Sequence, residues 1–238
     1  MADVPRHPEG ARDVLSHDVI EVPLAPLTPP RLQDAMAALT ARDPKMARAI
    51  ERVGPCTLLP RTDGTPFDHL ARAIVFQQLS GAAASTIYGR FATRIGGGTA
   101  APTPARILAS DEATLRGCGL STAKVRALVD LARHVEEGRL PLDLVDTMED
   151  DAVIDALVAV RGVGRWTAQM FLMFRLGRPD VLPVLDLGVR KGAQRIYRMR
   201  SLPDADRLHR VARNWHPWAS VASWYCWRAL DLEDAGGW

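Results

Sequence analysis

An all-α fold follows from three features of this chain. Apolar residues recur at three- and four-residue spacing through most segments after residue 30. No run with period-two alternation persists beyond a short patch near the start, "DVIEVPLAPL". Polar capping residues and prolines stand repeatedly just ahead of apolar-periodic runs, with glycines after them. Together these predict roughly ten helices joined by short turns, packed as two helical lobes with a cleft between them.

Taken in order, residues 1–30 are rich in Pro and charge and predict an extended N-terminal arm. A helical domain is expected over 31–238, with a central lobe over about 67–185 and a second lobe made of 31–66 plus 186–238. "RLQDAMAALTAR" and "PKMARAIERV" predict short helices, the second with Asp43 as cap and Pro44 in its first turn. "FDHLARAIVFQQLSGAAASTIYGRFATRI" places Phe67, Leu70, Ile74 and Leu79 near helical spacing, and Gly81 is expected to split it into two helices. "GGGTAAPTP" reads as a flexible linker, followed by two short helices. "STAKVRALVDLARHVEEG" carries Ser121 as N-cap, apolar residues at helical spacing and a glycine stop. "EDDAVIDALVAV" leads into a glycine turn and "GRWTAQMFLMFRLG". Three helices finish the chain, from about Asp186, Pro203 and Pro217.

Composition narrows the function classes. At 238 residues, with 47% apolar and 24% charged residues, the chain is long enough for a sizeable core and has no biased tract. A formal charge of +2 means that any nucleic-acid surface must be local. Cys56, Cys118 and Cys226 lie far apart with no spacing suited to zinc or an iron–sulfur cluster, so reduced thiols are expected. There is no signal-peptide pattern and no apolar run of transmembrane length, which predicts a cytoplasmic protein without a membrane partner.

The segment that carries chemistry is "VRGVGRWTAQMFLMFRLGRPDVLPVLDLGVRKG", residues 160–192. A helix is expected to end near Val160 and another to begin after Gly164. Gly162 and Gly164 can take positive φ and admit a partner close to the backbone. The amides of Val163, Gly164 and Arg165 then face outward at a helix N-terminus, where an anion is favoured. Taken alone, Gly-x-Gly also fits a plain turn between two helices. Asp186 precedes "LGVRKGAQRIY", so its first role is an N-cap accepting from an amide near Val189.

"VRGVGRWTA" resembles the helix-hairpin-helix motif of DNA repair glycosylases, and "DVLPVLDLGVRKG" resembles the Gly/Pro loop and aspartate that follow it there. "RAIVFQQLS" and "LSTAKVRAL" resemble further segments of that superfamily, in the same order. The similarity spans about 31–232 and is strongest to the 3-methyladenine DNA glycosylase II family, in a compact form lacking the N-terminal β-domain. The resemblance implies excision of alkylated bases from double-stranded DNA, by base flipping and hydrolysis of the N-glycosidic bond. Asp186 is then the catalytic carboxylate that stabilises an oxocarbenium-like sugar and orients water. Gly162, Val163, Gly164, Arg165, Thr167 and Lys191 are implied phosphate contacts, with Arg161, Arg190 and Lys124 beside them.

By the same resemblance Trp227, Trp166 and Met170 line the base pocket, and Gln78, with Leu79 as neighbour, is the wedge that fills the hole left in the duplex. An amide at Gln77 or Gln78 equally suits a helix cap. No cofactor is implied. A Na⁺ or K⁺ ion is expected at the main-chain carbonyls of Val158, Val160 and Val163, where its charge complements a phosphate.

Relatives that also cut the strand carry a nucleophilic lysine where this chain has Trp166, and an indole forms no imine, so the resemblance implies a monofunctional enzyme without lyase activity. Gln78, Met170 and Leu185 depart from residues common in the family, which leaves the lesion range open. A non-catalytic helix-hairpin-helix DNA-binding protein and a glycosylase for deaminated, oxidised or etheno bases remain the alternatives. A monomer is expected, associated with the nucleoid if bacterial.

Overall fold

The computed structural model describes residues 25–97 and 101–234. Among these residues there are twelve α-helices, one 3-10 turn at Val145–Thr147, and no strand. The helices are α1 Pro29–Arg42, α2 Pro44–Val53, α3 Pro66–Phe76, α4 Gly81–Gly96, α5 Pro104–Leu108, α6 Glu112–Arg116, α7 Thr122–Glu136, α8 Asp150–Val158, α9 Arg165–Phe174, α10 Leu187–Ile196, α11 Ala205–Ala212 and α12 Ala219–Asp234. No helix among the described residues is long and apolar enough to cross a membrane.

Local chemistry explains most of the starts. Thr28, Asp43, Thr65, Ser80, Thr103, Asp111, Ser121, Asp186 and Asp204 each accept from an amide in the first turn of the helix that follows. Such caps satisfy donors that a helix cannot pair internally. Proline follows at the first position of α1, α2, α3 and α5, where its missing N–H costs nothing.

Three boundaries differ from expectation. The predicted arm over 1–30 lies outside the described residues as far as 24, but 25–30 is not an arm: Leu27 is buried, its amide donates to the Gly177 carbonyl at 2.8 Å, and α1 opens at Pro29. An apolar anchor ahead of a Thr-Pro cap overrides the proline-rich composition. The long segment from Phe67 breaks at 77–80 rather than at Gly81, because Ser80 caps α4 and Gly81 becomes its first residue. Of the glycine linker, 98–100 lie outside the described residues, and Thr103 already caps α5.

The helices pack in two groups. α1, α2, α10 and α12 lie against one another, while α3 to α9 form the other set. In the first group α10 crosses α12 at Gly192, where a Cβ would stand 2.1 Å from the carbonyl oxygen of Cys226. Asp43, the cap of α2, also accepts from the Tyr197 hydroxyl, which takes the Trp215 indole N–H at 2.8 Å. All three cysteines are buried free thiols, and burial pushes Cys56 up to about 11.

The loop from α9 to α10 joins the groups and is pinned on both sides. Arg178, 1% exposed, pairs with Asp150 at 3.1 Å and donates to the carbonyls of Val145, Asp146 and Met148. Ser220 donates to the Arg178 carbonyl and accepts from the Val181 amide. Asp180 accepts from the first amide of α12 and from His216. This bracing fixes where the loop delivers Asp186.

Candidate active site

The turn between α8 and α9 is built by hydrogen bonds that only partly match its sequence reading. Gly162 has φ +79, a left-handed conformation that favours glycine. Asp130 holds the Arg161 amide at 2.8 Å, and Gln77 reaches across from the end of α3 to the Gly162 carbonyl at 3.0 Å. The amides that open α9 receive no side-chain cap, since Gly164 is the cap residue. Val163 departs from expectation: it is buried, and its amide donates to the Val160 carbonyl at 3.1 Å, so closing the turn consumes the donor assigned to phosphate. Arg165 is exposed, 3.9 Å from Asp151, a weak pair in solvent.

Asp186 is where the two helix groups meet chemically. One oxygen accepts the Val189 amide at 2.7 Å, the N-cap bond of α10, and the Trp227 indole N–H at 2.9 Å. The other accepts the Trp166 indole N–H at 2.7 Å. An ionised carboxylate offers about four lone-pair sites, so three fixed donors orient it and leave about one site, on the oxygen facing Trp166. Trp227 stacks on Phe174 with ring centroids 5.8 Å apart. At Gly188 a Cβ would lie 2.7 Å from Trp227 and 3.1 Å from the Asp186 carboxylate, so glycine there permits the approach.

Beside this carboxylate a cleft of about 560 Å³ is lined by Gln77, Gln78, Gly162, Gly164, Trp166, Thr167 and Met170, among others. The structure thus brings together the hairpin glycines, Gln78 and two of the three expected pocket residues, Trp166 and Met170. Thr167 is buried and lines the cleft. Trp227 stands behind the cleft wall, against Phe174, rather than in the lining. Leu79 is exposed beside Gln78. Lys191 lies apart, in a groove of about 810 Å³ with Arg52, Gln194, Arg195 and Arg198. Val158 is exposed at the end of α8.

Two of the cations expected beside DNA also bond to protein groups. Lys124 donates to the carbonyls of Val75 and Gln77, capping the C-terminus of α3, and burial lowers its pKa. Arg190 donates to the Pro203 carbonyl. Gln78 itself has φ +56, unusual for a residue with a side chain. The tie from Lys124 and the bridge from Gln77 hold the loop between α3 and α4 in that conformation. Sequence reading missed Gly188 and Gly192, though their four-residue spacing inside a helix was a visible sign of close packing. It also missed that both tryptophans act through their N–H groups.

An all-helical chain in which a glycine turn and a capped aspartate from another helix flank one cleft has the architecture of a helix-hairpin-helix DNA repair protein. The pattern of the HhH-GPD superfamily of base excision DNA repair proteins matches residues 71–217, and the chain belongs to that superfamily. It is 30% identical to the alkylbase DNA glycosidase-like protein mag2 of Schizosaccharomyces pombe, across 83% of this chain and 93% of the relative. It is 32% identical to DNA-3-methyladenine glycosylase 1 of the same yeast, across 71% and 74%. Among solved structures, a DNA-3-methyladenine glycosidase from Bacillus halodurans superposes with a TM-score of 0.77 at 36% identity, covering 84% of this chain and 91% of that one. The S. pombe 3-methyladenine DNA glycosylase, solved in complex with abasic DNA, gives 0.73 at 30% identity, covering 84% and 98%.

Proposed function

We propose that this protein is a monofunctional DNA glycosylase that excises alkylated bases, of the 3-methyladenine type, from double-stranded DNA. The observation that carries this reading is Asp186, a carboxylate fixed by three N–H donors at the edge of a cleft bordered by the hairpin. Phosphate binding by itself needs no such group.

In this mechanism the uncapped amides opening α9, with Arg165, hold a phosphate of the duplex. Gln78 enters the stack as the target nucleotide leaves it, and Trp166 and Met170 receive the base. Methylation at a purine ring nitrogen makes the base cationic and a good leaving group, so a dedicated general acid is not required. As the glycosidic bond breaks, positive charge grows on the sugar, and the preorganised Asp186 carboxylate stabilises it. Its remaining lone-pair site orients the attacking water. With an indole in place of a lysine beside the hairpin, the product is an intact abasic strand and a free base.

A monovalent cation at the turn belongs to this reading, held by the carbonyls of Val158, Val160 and Val163. The Val160 carbonyl is engaged once, by Val163, and keeps a second lone pair for it. When bound it would add positive charge beside the α9 amides.

The decisive measurement is release of free base from methylated duplex DNA by the wild-type protein and Asp186→Asn. The variant is expected to be at least ~100-fold slower, the scale for losing one key electrostatic group, with DNA affinity retained. Near-wild-type release by the variant would overturn the assignment.

A further inference from the structure

The two loops that border the cleft, 77–80 between α3 and α4 and 159–164 between α8 and α9, share a support that belongs to neither. Lys124, Ala127 and Asp130 stand three residues apart along α7, so they are neighbours on one side of it. Lys124 donates to the Val75 and Gln77 carbonyls at the end of α3. Ala127 packs beneath Gly162, where an added Cβ would lie 3.3 Å from the alanine methyl. Asp130 accepts the Arg161 amide at 2.8 Å. Gln77 closes the circuit by donating to the Gly162 carbonyl at 3.0 Å. Each loop is thus tied to α7 and to the other loop, with Lys124 and Asp130 about 9 Å apart along the helix axis.

Asp130 is the member of this group whose chemistry calls for a reason. The amides that follow Arg161 across the turn are proposed to hold a phosphate, and a carboxylate beside a phosphate repels it. No Lys or Arg side chain among the described residues pairs with Asp130 to offset that charge. Its neighbour at ion-pair range is the buried ring of His134, 3.5 Å away. Arg139 donates to Nε2 of that ring at 2.6 Å, which leaves Nδ1 to donate to the Asp130 carbonyl at 2.9 Å. The carboxylate supplies the turn with an acceptor, and its charge works against DNA. The bond falls one residue before Gly162, whose left-handed φ of +79 turns the chain toward α9.

We propose that Asp130 is a positioning residue for DNA binding, acting through the Arg161 amide to hold the hairpin turn on α7 in register with the loop that carries Gln78. The proposal rests on the reading of this turn as a phosphate site given above. A turn already held in its binding shape meets the DNA backbone without an ordering cost, so the bond contributes to affinity. Base release depends on Asp186, which Asp130 does not touch, so the rate at saturating protein is left alone.

Three variants of the full chain separate position from charge. Asp130→Asn keeps an oxygen acceptor and removes the charge. Asp130→Glu keeps the charge and carries the oxygens one methylene further out. Asp130→Ala removes both. The side chain is 30% exposed, so each variant is expected to fold, with thermal unfolding followed alongside. Affinity is read by fluorescence anisotropy on a duplex bearing a tetrahydrofuran abasic-site analogue. Base release is read in single turnover from methylated duplex at saturating protein.

Asp130→Ala is expected to bind about 10-fold more weakly, as for loss of one hydrogen bond to a charged group, although it deletes a negative charge. Asp130→Glu should also bind more weakly, and Asp130→Asn at least as tightly as wild type. Saturated release should match wild type in all three. Folded Asp130→Ala and Asp130→Glu that bind as tightly as wild type overturn the proposal, as does Asp130→Asn binding as weakly as Asp130→Ala. A loss confined to thermal stability or to the saturated rate overturns it too. If Asp130→Ala does not fold, Asp130→Glu against wild type decides. Failure of the wild type to bind the duplex overturns the phosphate reading and this inference with it. Binding without base release overturns the glycosylase reading and leaves this inference standing.

Discussion

At the scale of single residues, Asp186 and its two tryptophans are the centre of the molecule. Its capping role was legible because an N-cap bond spans three residues, from Asp186 to Val189. The two indole donors were not, because they arrive from 20 residues before and 41 residues after. Their aromatic character pointed to a stacking role, whereas the geometry uses the N–H. Trp227→Phe keeps a ring against Phe174 and removes that donor. We expect single-turnover excision to slow about 10-fold, as for loss of one hydrogen bond to a charged group, with thermal stability little changed. Equal rates for the variant and wild type would leave the indole N–H without an orienting role.

Among elements, the loop between α3 and α4 and the crossing of α10 on α12 make opposite demands on glycine. Gln78 holds a left-handed conformation without being glycine, kept there by the Lys124 cap of α3 and by the Gln77 bridge to Gly162. Backbone strain of this kind clusters at functional sites. Gln78→Gly should raise stability to denaturant by about 1 kcal/mol, by relieving that strain, while slowing excision from duplex DNA through loss of the proposed wedge. A variant that is both no more stable and fully active would count against both claims. Gly192 is required for the reverse reason, since the backbone of Cys226 leaves no room for a Cβ. Gly192→Ala is expected to cost about 2–3 kcal/mol or more, as overpacking against a backbone that cannot yield, visible as a lowered unfolding midpoint. The helices themselves were legible from caps, prolines and period, but the break at 77–80 was not. Gly81 looked like the interruption, yet Ser80 ahead of it supplied a cap that made glycine an acceptable first residue.

For the whole molecule, stability depends on the loop that joins the two helix groups. His216 donates to Asp180, which also caps α12, and this bond raises the histidine pKa above its ordinary value of 6.5 despite partial burial. A raised folded-state pKa means that the protonated pair stabilises the fold fully below the unfolded value, and that the contribution fades as pH rises through the folded value. The unfolding temperature of wild type should therefore decline from pH 6.5 upward more steeply than that of His216→Gln. Parallel profiles for the two proteins would remove His216 from the pH response. Because this loop ends at Asp186, its bracing by Arg178, Asp180 and Ser220 links stability to the position of the carboxylate proposed as catalytic.

The sequence by itself determined the all-α class, most helix starts, the glycine turn at 162–164 and the capped Asp186, because each is written in interactions that span a few residues. Tertiary structure alone decided which donors remain free for a ligand. Val163 spends its amide inside the turn, Lys124 donates to the carbonyls that end α3, and Thr167 is buried. It also decided that Trp166 and Trp227 converge on one carboxylate. These outcomes depend on how α3, α9, α10 and α12 pack, and a hydrogen bond between residues 20 to 85 positions apart leaves no periodic mark in the chain.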